Sequence, residues 1–255
     1  MEERAKSTSH KGFTLLELLI VIVVVATLIA LSVAGLSQAR TAARTTLCLG
    51  HMRQLGTTLQ QYWAASREVF PFAPAGTVFA TSPPEDGPTS TAVSGNHFDL
   101  RVYWTTPVSR VAPWKENFVN WVCPSSKRMP GLPWKSASGD IAYPSYVYVF
   151  GFMARPSVWM DGSTANADQL RSVRLADVRF PSGKAAFFDQ EMGHLPNRAS
   201  SSEEFRSQSA TPILFVDGHS TQRRLSEATK PATNPFTGHA WPLHDTRDGA
   251  AGCDF

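Results

Sequence analysis

The chain has no proline before Pro71 and no acidic residue between Glu17 and Glu68. A stretch without proline keeps every backbone donor that a helical ladder needs, and a stretch without carboxylates can enter a low-dielectric phase. Charge is scarce overall: 18% of residues are Asp, Glu, Lys or Arg, the formal net charge is +3, and no dense basic patch occurs. Nucleic acid is therefore not an expected partner. The three cysteines, Cys48, Cys123 and Cys253, stand too far apart for a zinc spacing. In an oxidising compartment two can pair and the third stays free; the expected pair is Cys123 with Cys253, because Cys48 falls on a helix face. Also missing are a nucleophile elbow, a phosphate-binding glycine loop, a His-Glu pair on a helix, an internal repeat and a long heptad run. No enzymatic activity is expected.

What the chain does have is one long apolar run. From Phe13 to Leu36 the single ionisable group is Glu17, and at about 1.5 Å per residue such a helix crosses a hydrocarbon core of about 30 Å. A carboxylate inside that run carries an insertion penalty of a few kcal/mol, so its default reading is functional, with a partner that neutralises it. The bland alternative is an anchor whose Glu17 snorkels toward the headgroups. Met1 to Gly12 is short and polar, without the apolar core and small-residue cleavage site of a secretory signal.

Gly12-Phe13, with Glu17 fifth counting from Phe13, resembles the processing site of type IV prepilin-like proteins, the type IV pilins and type II secretion pseudopilins. The resemblance implies cleavage between Gly12 and Phe13 by a prepilin peptidase and N-methylation of the new Phe13 amino group. It also implies that Glu17 meets the terminal ammonium of a neighbouring subunit in a filament. A side-chain-free Gly12 suits close approach to a peptidase. Arg4, Lys6 and Lys11 are balanced by Arg40, Arg44 and Arg53 beyond the run, so basic residues do not set the orientation. The resemblance does: a cytoplasmic leader over 1–12, a single-pass inner-membrane helix over 13–36, and the remainder periplasmic or otherwise extracytoplasmic. The implied partners are the prepilin peptidase, other pilin or pseudopilin subunits, an inner-membrane assembly platform and membrane lipid. Many relatives carry a proline near the end of the membrane segment, where this chain has Val33-Ala34-Gly35.

Over 37–70 the helix continues as an amphipathic element. Cys48, Met52, Leu55, Leu59 and Tyr62 recur at helical spacing as one apolar stripe expected to pack on a sheet, while Arg40 and Arg44 lie near lipid phosphates or acidic groups of adjacent subunits. Residues 71–97, rich in proline, glycine, serine and threonine, read as an irregular loop. Strand-like runs follow at Val102-Tyr103-Trp104, Phe118 to Cys123, Tyr146 to Phe152, Ala185 to Phe188 and Ile213 to Val216. The fold class is α+β: a long N-terminal helix packed on a C-terminal antiparallel sheet, pilin-like, with 71–255 as the globular part.

Ala39 to Arg44, Met52 to Gly56, Cys123-Pro124, Ser145 to Tyr148 and Ile213 to His219 together resemble a pseudopilin-like group of planctomycete and verrucomicrobial bacteria that carries a histidine at fixed spacing before a C-terminal Asp-Gly. The nearest upstream histidine, His194, stands too far from Asp217 for that spacing. Asp217-Gly218-His219 has the residue types of a ligand site, with Asp189, Glu191 and His194 on another strand end. Asp-Gly straight after a strand is also ordinary hairpin chemistry, which is the preferred reading.

Calcium is the metal the resemblance implies. Its candidate ligands are Asp161 and Asp168, with Ser163 and Asn166, and Asp245 and Asp248, with Asp254. Neither set has EF-hand spacing, solvated loops are the preferred account, and no cofactor is expected. Trp104, Trp114, Trp121, Trp134, Trp159 and Trp241 serve core filling, and an exposed pair would stack on sugar rings or another subunit. Two functions compete. One is a structural subunit of a type II secretion pseudopilus or pilus-like filament. The other is a membrane-tethered extracytoplasmic domain, adhesin-like, glycan-binding or hydrolytic, that uses the prepilin route for targeting. A smooth sheet packed on the helix favours the first, and a cleft with converging carboxylates the second.

Overall fold

A computed structural model of the chain describes residues 13–74, 76–80, 91–93, 97–124, 144–190 and 208–255. Residues 1–12, which include Gly12, and Trp134, Glu191 and His194 lie outside the described residues. The chain divides into two compact units between Ala43 and Arg44, and helix α1, Leu15–Ala65, contributes to both.

In the first unit, α1 presents leucine, isoleucine and valine side chains that are about half exposed or more from Leu15 to Leu36. Its most apolar window has a mean hydropathy of 3.0 and none of it is buried. Such a helix needs an apolar medium or apolar partners to cover it.

In the second unit the same helix changes character. Cys48, Met52, Leu55, Leu59 and Trp63 are buried, at steps of four, three, four and four, while Tyr62 is only partly covered. Trp63 therefore takes the place at the end of the stripe that the spacing assigns to Tyr62. The helix ends through Arg67 and Glu68, both at positive φ, with the Glu68 N–H returning to the Trp63 carbonyl at 2.8 Å. That pairing satisfies an orphan carbonyl without glycine or proline.

The stripe lies on a four-stranded antiparallel sheet of β3 (Tyr146–Tyr148), β4 (Ala185–Asp189), β5 (Ala210–Phe215) and β6 (Ser220–Arg224), in the order β3-β4-β5-β6. The Tyr146 hydroxyl donates to the Cys48 carbonyl at 3.3 Å, and the Ser220 hydroxyl to the Leu49 carbonyl at 3.0 Å. At Gly56 a Cβ would stand 3.1 Å from Leu214, so glycine sets the approach of helix to sheet. Pro212 has no N–H to give, yet the Asp189 carbonyl is satisfied by the Thr211 hydroxyl at 2.8 Å. Polar β6, with Arg223 and Arg224, forms one edge, where charge discourages further pairing.

Three expectations are corrected here. The disulfide joins Cys48 to Cys123, with Cα atoms 5.2 Å apart, and Cys253 is the free thiol. The helix face that seemed to exclude Cys48 is the buried one, and it brings that side chain against the segment after Trp121. Two runs read as strands are helical: Val102 and Tyr103 belong to α2 (Leu100–Tyr103), and Phe118–Trp121 forms a 3-10 turn after the short helix Trp114–Asn117. Trp104 explains part of this, since its indole N–H donates to the Tyr146 carbonyl at 2.9 Å and its ring meets Phe187 at 4.8 Å. These aromatic residues cover the sheet; they do not extend it. Within 71–97, β1 (Val78–Ala80) and β2 (Thr91–Val93) pair as a short two-stranded ribbon inside the stretch read as irregular loop.

Candidate functional site

At the start of α1 the Thr14 N–H and hydroxyl donate to Glu17 Oε2 at 2.9 and 3.0 Å, and the Glu17 N–H donates to the Thr14 hydroxyl at 3.2 Å. This is a capping box, in which a threonine and the glutamate three residues on satisfy each other's backbone donors. The spacing Thr14-Leu15-Leu16-Glu17 announces it in the sequence, but the reading of Glu17 as a charge awaiting a neighbour hid the local role. Phe13, immediately before, is 84% exposed. The carboxylate thus sits at the positive end of the helix dipole, next to where a new amino terminus would stand.

The calcium candidates are not gathered together. Asp161 takes the Arg247 guanidinium at 2.7 Å, and Asn166 accepts the Asp168 N–H at 2.9 Å to cap a short 3-10 turn. Asp248 starts another such turn from a left-handed conformation. Asp254 is buried against Lys184: the ammonium lies 3.1 Å from Oδ2, the Ala185 N–H reaches the same oxygen at 2.8 Å, and the Thr246 hydroxyl bonds Oδ1. Burial lowers the Lys184 pKa, and the Asp254 carboxylate opposes that shift. Asp245 holds a loop, accepting from Asn234 at 3.1 Å and from the Trp241 N–H at 2.7 Å. Among the described residues, the one group of three metal-type ligands in close reach is Cys48, Cys123 and Asp189, and its two sulfurs are joined to each other.

Asp217 and Gly218 form the tight turn between β5 and β6, with Gly218 at φ +90°. Asp217 Oδ1 takes the His219 N–H at 3.0 Å and lies 2.6 Å from His219 Nδ1, and the imidazole stacks on Phe215 with ring centres 4.4 Å apart. The pair is tied to its own turn. Asp189 is not gathered with it among the described residues.

A cleft of about 290 Å³ opens elsewhere on the globular unit, between the Phe98–Arg101 segment, Phe150 and the Thr237–Trp241 loop. Arg101 lies over the Trp241 indole, 5.6 Å from its centre, and the His239 ring stacks on the same indole at 4.8 Å. Of the tryptophans singled out in the sequence, Trp104, Trp114, Trp121 and Trp159 are core residues, and Trp241 reaches this cleft. Behind it His244 is buried against Phe150, its pKa pushed down to about 3 by burial, then by the Arg101 and Lys184 charges.

Residues 7–33 match the family described as the prokaryotic N-terminal methylation motif. No curated protein and no solved structure matches the chain. The matched stretch contains Gly12, Phe13, Thr14 and Glu17, and it supports a type IV prepilin-like protein carrying a methylation motif on a long apolar helix.

Proposed function

We propose that the chain is a structural subunit of a type II secretion pseudopilus or pilus-like filament. A prepilin peptidase removes residues 1–12, and the Phe13 amino group is methylated. The helix over 13–36 anchors the subunit in the inner membrane, with the globular part outside, until an assembly platform extracts it. The observation that carries this reading is Glu17, the only ionisable residue of the uncovered apolar segment 13–36, lying inside the matched methylation motif. In the filament its carboxylate pairs with a neighbour's Phe13 ammonium, which offsets the cost of removing either charge from water. The Cys48–Cys123 disulfide accords with an extracytoplasmic location. The helix stripe packs closely on the sheet, and the cleft carries one carboxylate, Asp99, where a hydrolytic site would bring several together.

Intact-mass measurement of the membrane-extracted chain should find Phe13 at the terminus, heavier by one methyl group. Retention of Met1, or a cut beyond Leu36, would falsify the assignment. Glu17→Ala and Glu17→Val should insert into the membrane at least as well as the parent and cross-link less to neighbouring subunits. Undiminished cross-linking of both variants removes Glu17 from assembly.

A further inference from the structure

We propose that the cleft beside Trp241 is a binding site for a carboxylate-bearing sugar, a uronic acid unit of an acidic glycan, with Arg101 as the group that selects the acid. The site lies wholly within the globular unit and does not depend on filament assembly.

Arg101 carries the inference. Its guanidinium is stacked over an indole, half-buried, and among the described residues it makes no ion pair. A stacked guanidinium keeps its N–H edge available, and that edge matches a carboxylate in a two-point contact. The opposite wall offers hydrogen-bonding groups suited to ring hydroxyls: the His239 imidazole, which is stacked on Trp241, and the Thr237 hydroxyl, which accepts the His239 N–H at 3.3 Å.

The wall is also built in advance. Asn234, itself buried, accepts the Phe236 N–H at 2.9 Å through its side chain, and its backbone carbonyl takes the Gly238 N–H at 2.8 Å. Asp245 then grips both Asn234 and the Trp241 N–H. A loop held at both ends loses little freedom when a ligand arrives. The volume is at the small end of ligand sites, which run from about 300 Å³ upward, so it admits a short unit and not a long run of polymer.

The alternatives fit less of this chemistry. Inorganic phosphate would use Arg101 and leave the His239 imidazole and Thr237 hydroxyl without a role. A neutral sugar would use those hydrogen-bonding groups and leave the guanidinium unpaired. A uronate uses both, with the indole, covered by Arg101 and His239, as the platform that holds them in place.

The test is calorimetric titration of the full chain in detergent micelles at constant ionic strength with short oligogalacturonates. The comparison ligands are neutral gluco-oligosaccharides of equal length, inorganic phosphate and a glutamate-rich peptide. Saturable oligogalacturonate binding is expected, weakened about tenfold or more by Arg101→Gln and clearly weakened by Arg101→Lys, which keeps the charge and loses the fork. Both variants should still melt cooperatively and close to the parent, because Arg101 contributes stacking on Trp241 and, among the described residues, no ion pair. The inference is overturned by absence of oligogalacturonate binding, by binding that survives Arg101→Gln, or by equal binding of the neutral sugars. Equal binding of phosphate or of the acidic peptide also overturns it, reducing the site to a general anion site or a peptide site.

Discussion

At the scale of single residues, the buried titratable groups near the C-terminus make the sharpest demands. The folded state holds His244 neutral down to about pH 3, whereas an unfolded histidine takes a proton below about 6.5. Unfolded chains therefore bind more protons between those limits, and the stability His244 contributes is lost as pH falls through them. Asp245 works in the opposite sense: burial raises it to about 6, so the folded state binds the extra proton between about 4 and 6 and its contribution falls as pH rises. Over that shared window the two largely cancel. His244→Phe should unmask Asp245, and the variant should gain stability relative to the parent as pH drops from 6 to 4, by up to about 1.4 kcal/mol per pH unit. Denaturant melts of both chains across that range check it, and parallel curves would refute it. Lys184→Met should cost about 3–5 kcal/mol by stranding the buried Asp254 carboxylate, and Lys184→Met combined with Asp254→Leu should recover much of that loss. Little of this was legible beforehand. Asp245 and Asp254 read as oxygen ligands because sequence shows which acids share a loop, but not which of them meet a lysine seventy positions away.

At the scale of elements, the helix was the legible part and the short segments were not. The apolar run and the stripe from Cys48 to Leu59 announce α1 through periodicity, and the absence of proline before Pro71 allows it to continue unbroken. Val102-Tyr103-Trp104 and Phe118 to Cys123 carry β-prone residues in runs too short for periodicity to arbitrate, and burial of their aromatic rings over the sheet decided for helical turns. The disulfide was misassigned for a related reason: pairing follows which faces meet, and Cys48 meets Cys123 only once the helix is docked. Its loop spans 75 residues, so replacing both Cys48 and Cys123 with serine should lower stability by about 2–4 kcal/mol, read as a lowered denaturant midpoint that reductant lowers no further. In the β5–β6 turn, Gly218→Val should cost on the order of 1 kcal/mol or more, because φ is +90° and a Cβ would stand 3.2 Å from Gln60. His219→Ala should cost less than about 1 kcal/mol, since it removes a largely exposed pair with Asp217. Thermal melts rank the two, and the reverse order would make His219 more than a turn companion.

At the scale of the whole molecule, the N-terminal segment and the α+β class were readable because each rests on long-range patterning, one on hydropathy and one on helix followed by strands. The cleft was not readable, because Arg101 and Trp241 are brought together only by the fold. One consequence of the Thr14–Glu17 capping box concerns how a filament would come apart. A solitary subunit does not hold a naked carboxylate; Glu17 is already engaged by its own chain. Under the proposed function, joining a filament would exchange one set of partners for another and would not create an ion pair from nothing, so this contact would drive elongation only by the difference between the two. Thr14→Val, which removes the hydroxyl from the exchange, should tilt it toward the polymer, so that subunits leave assembled filaments more slowly than those of the parent.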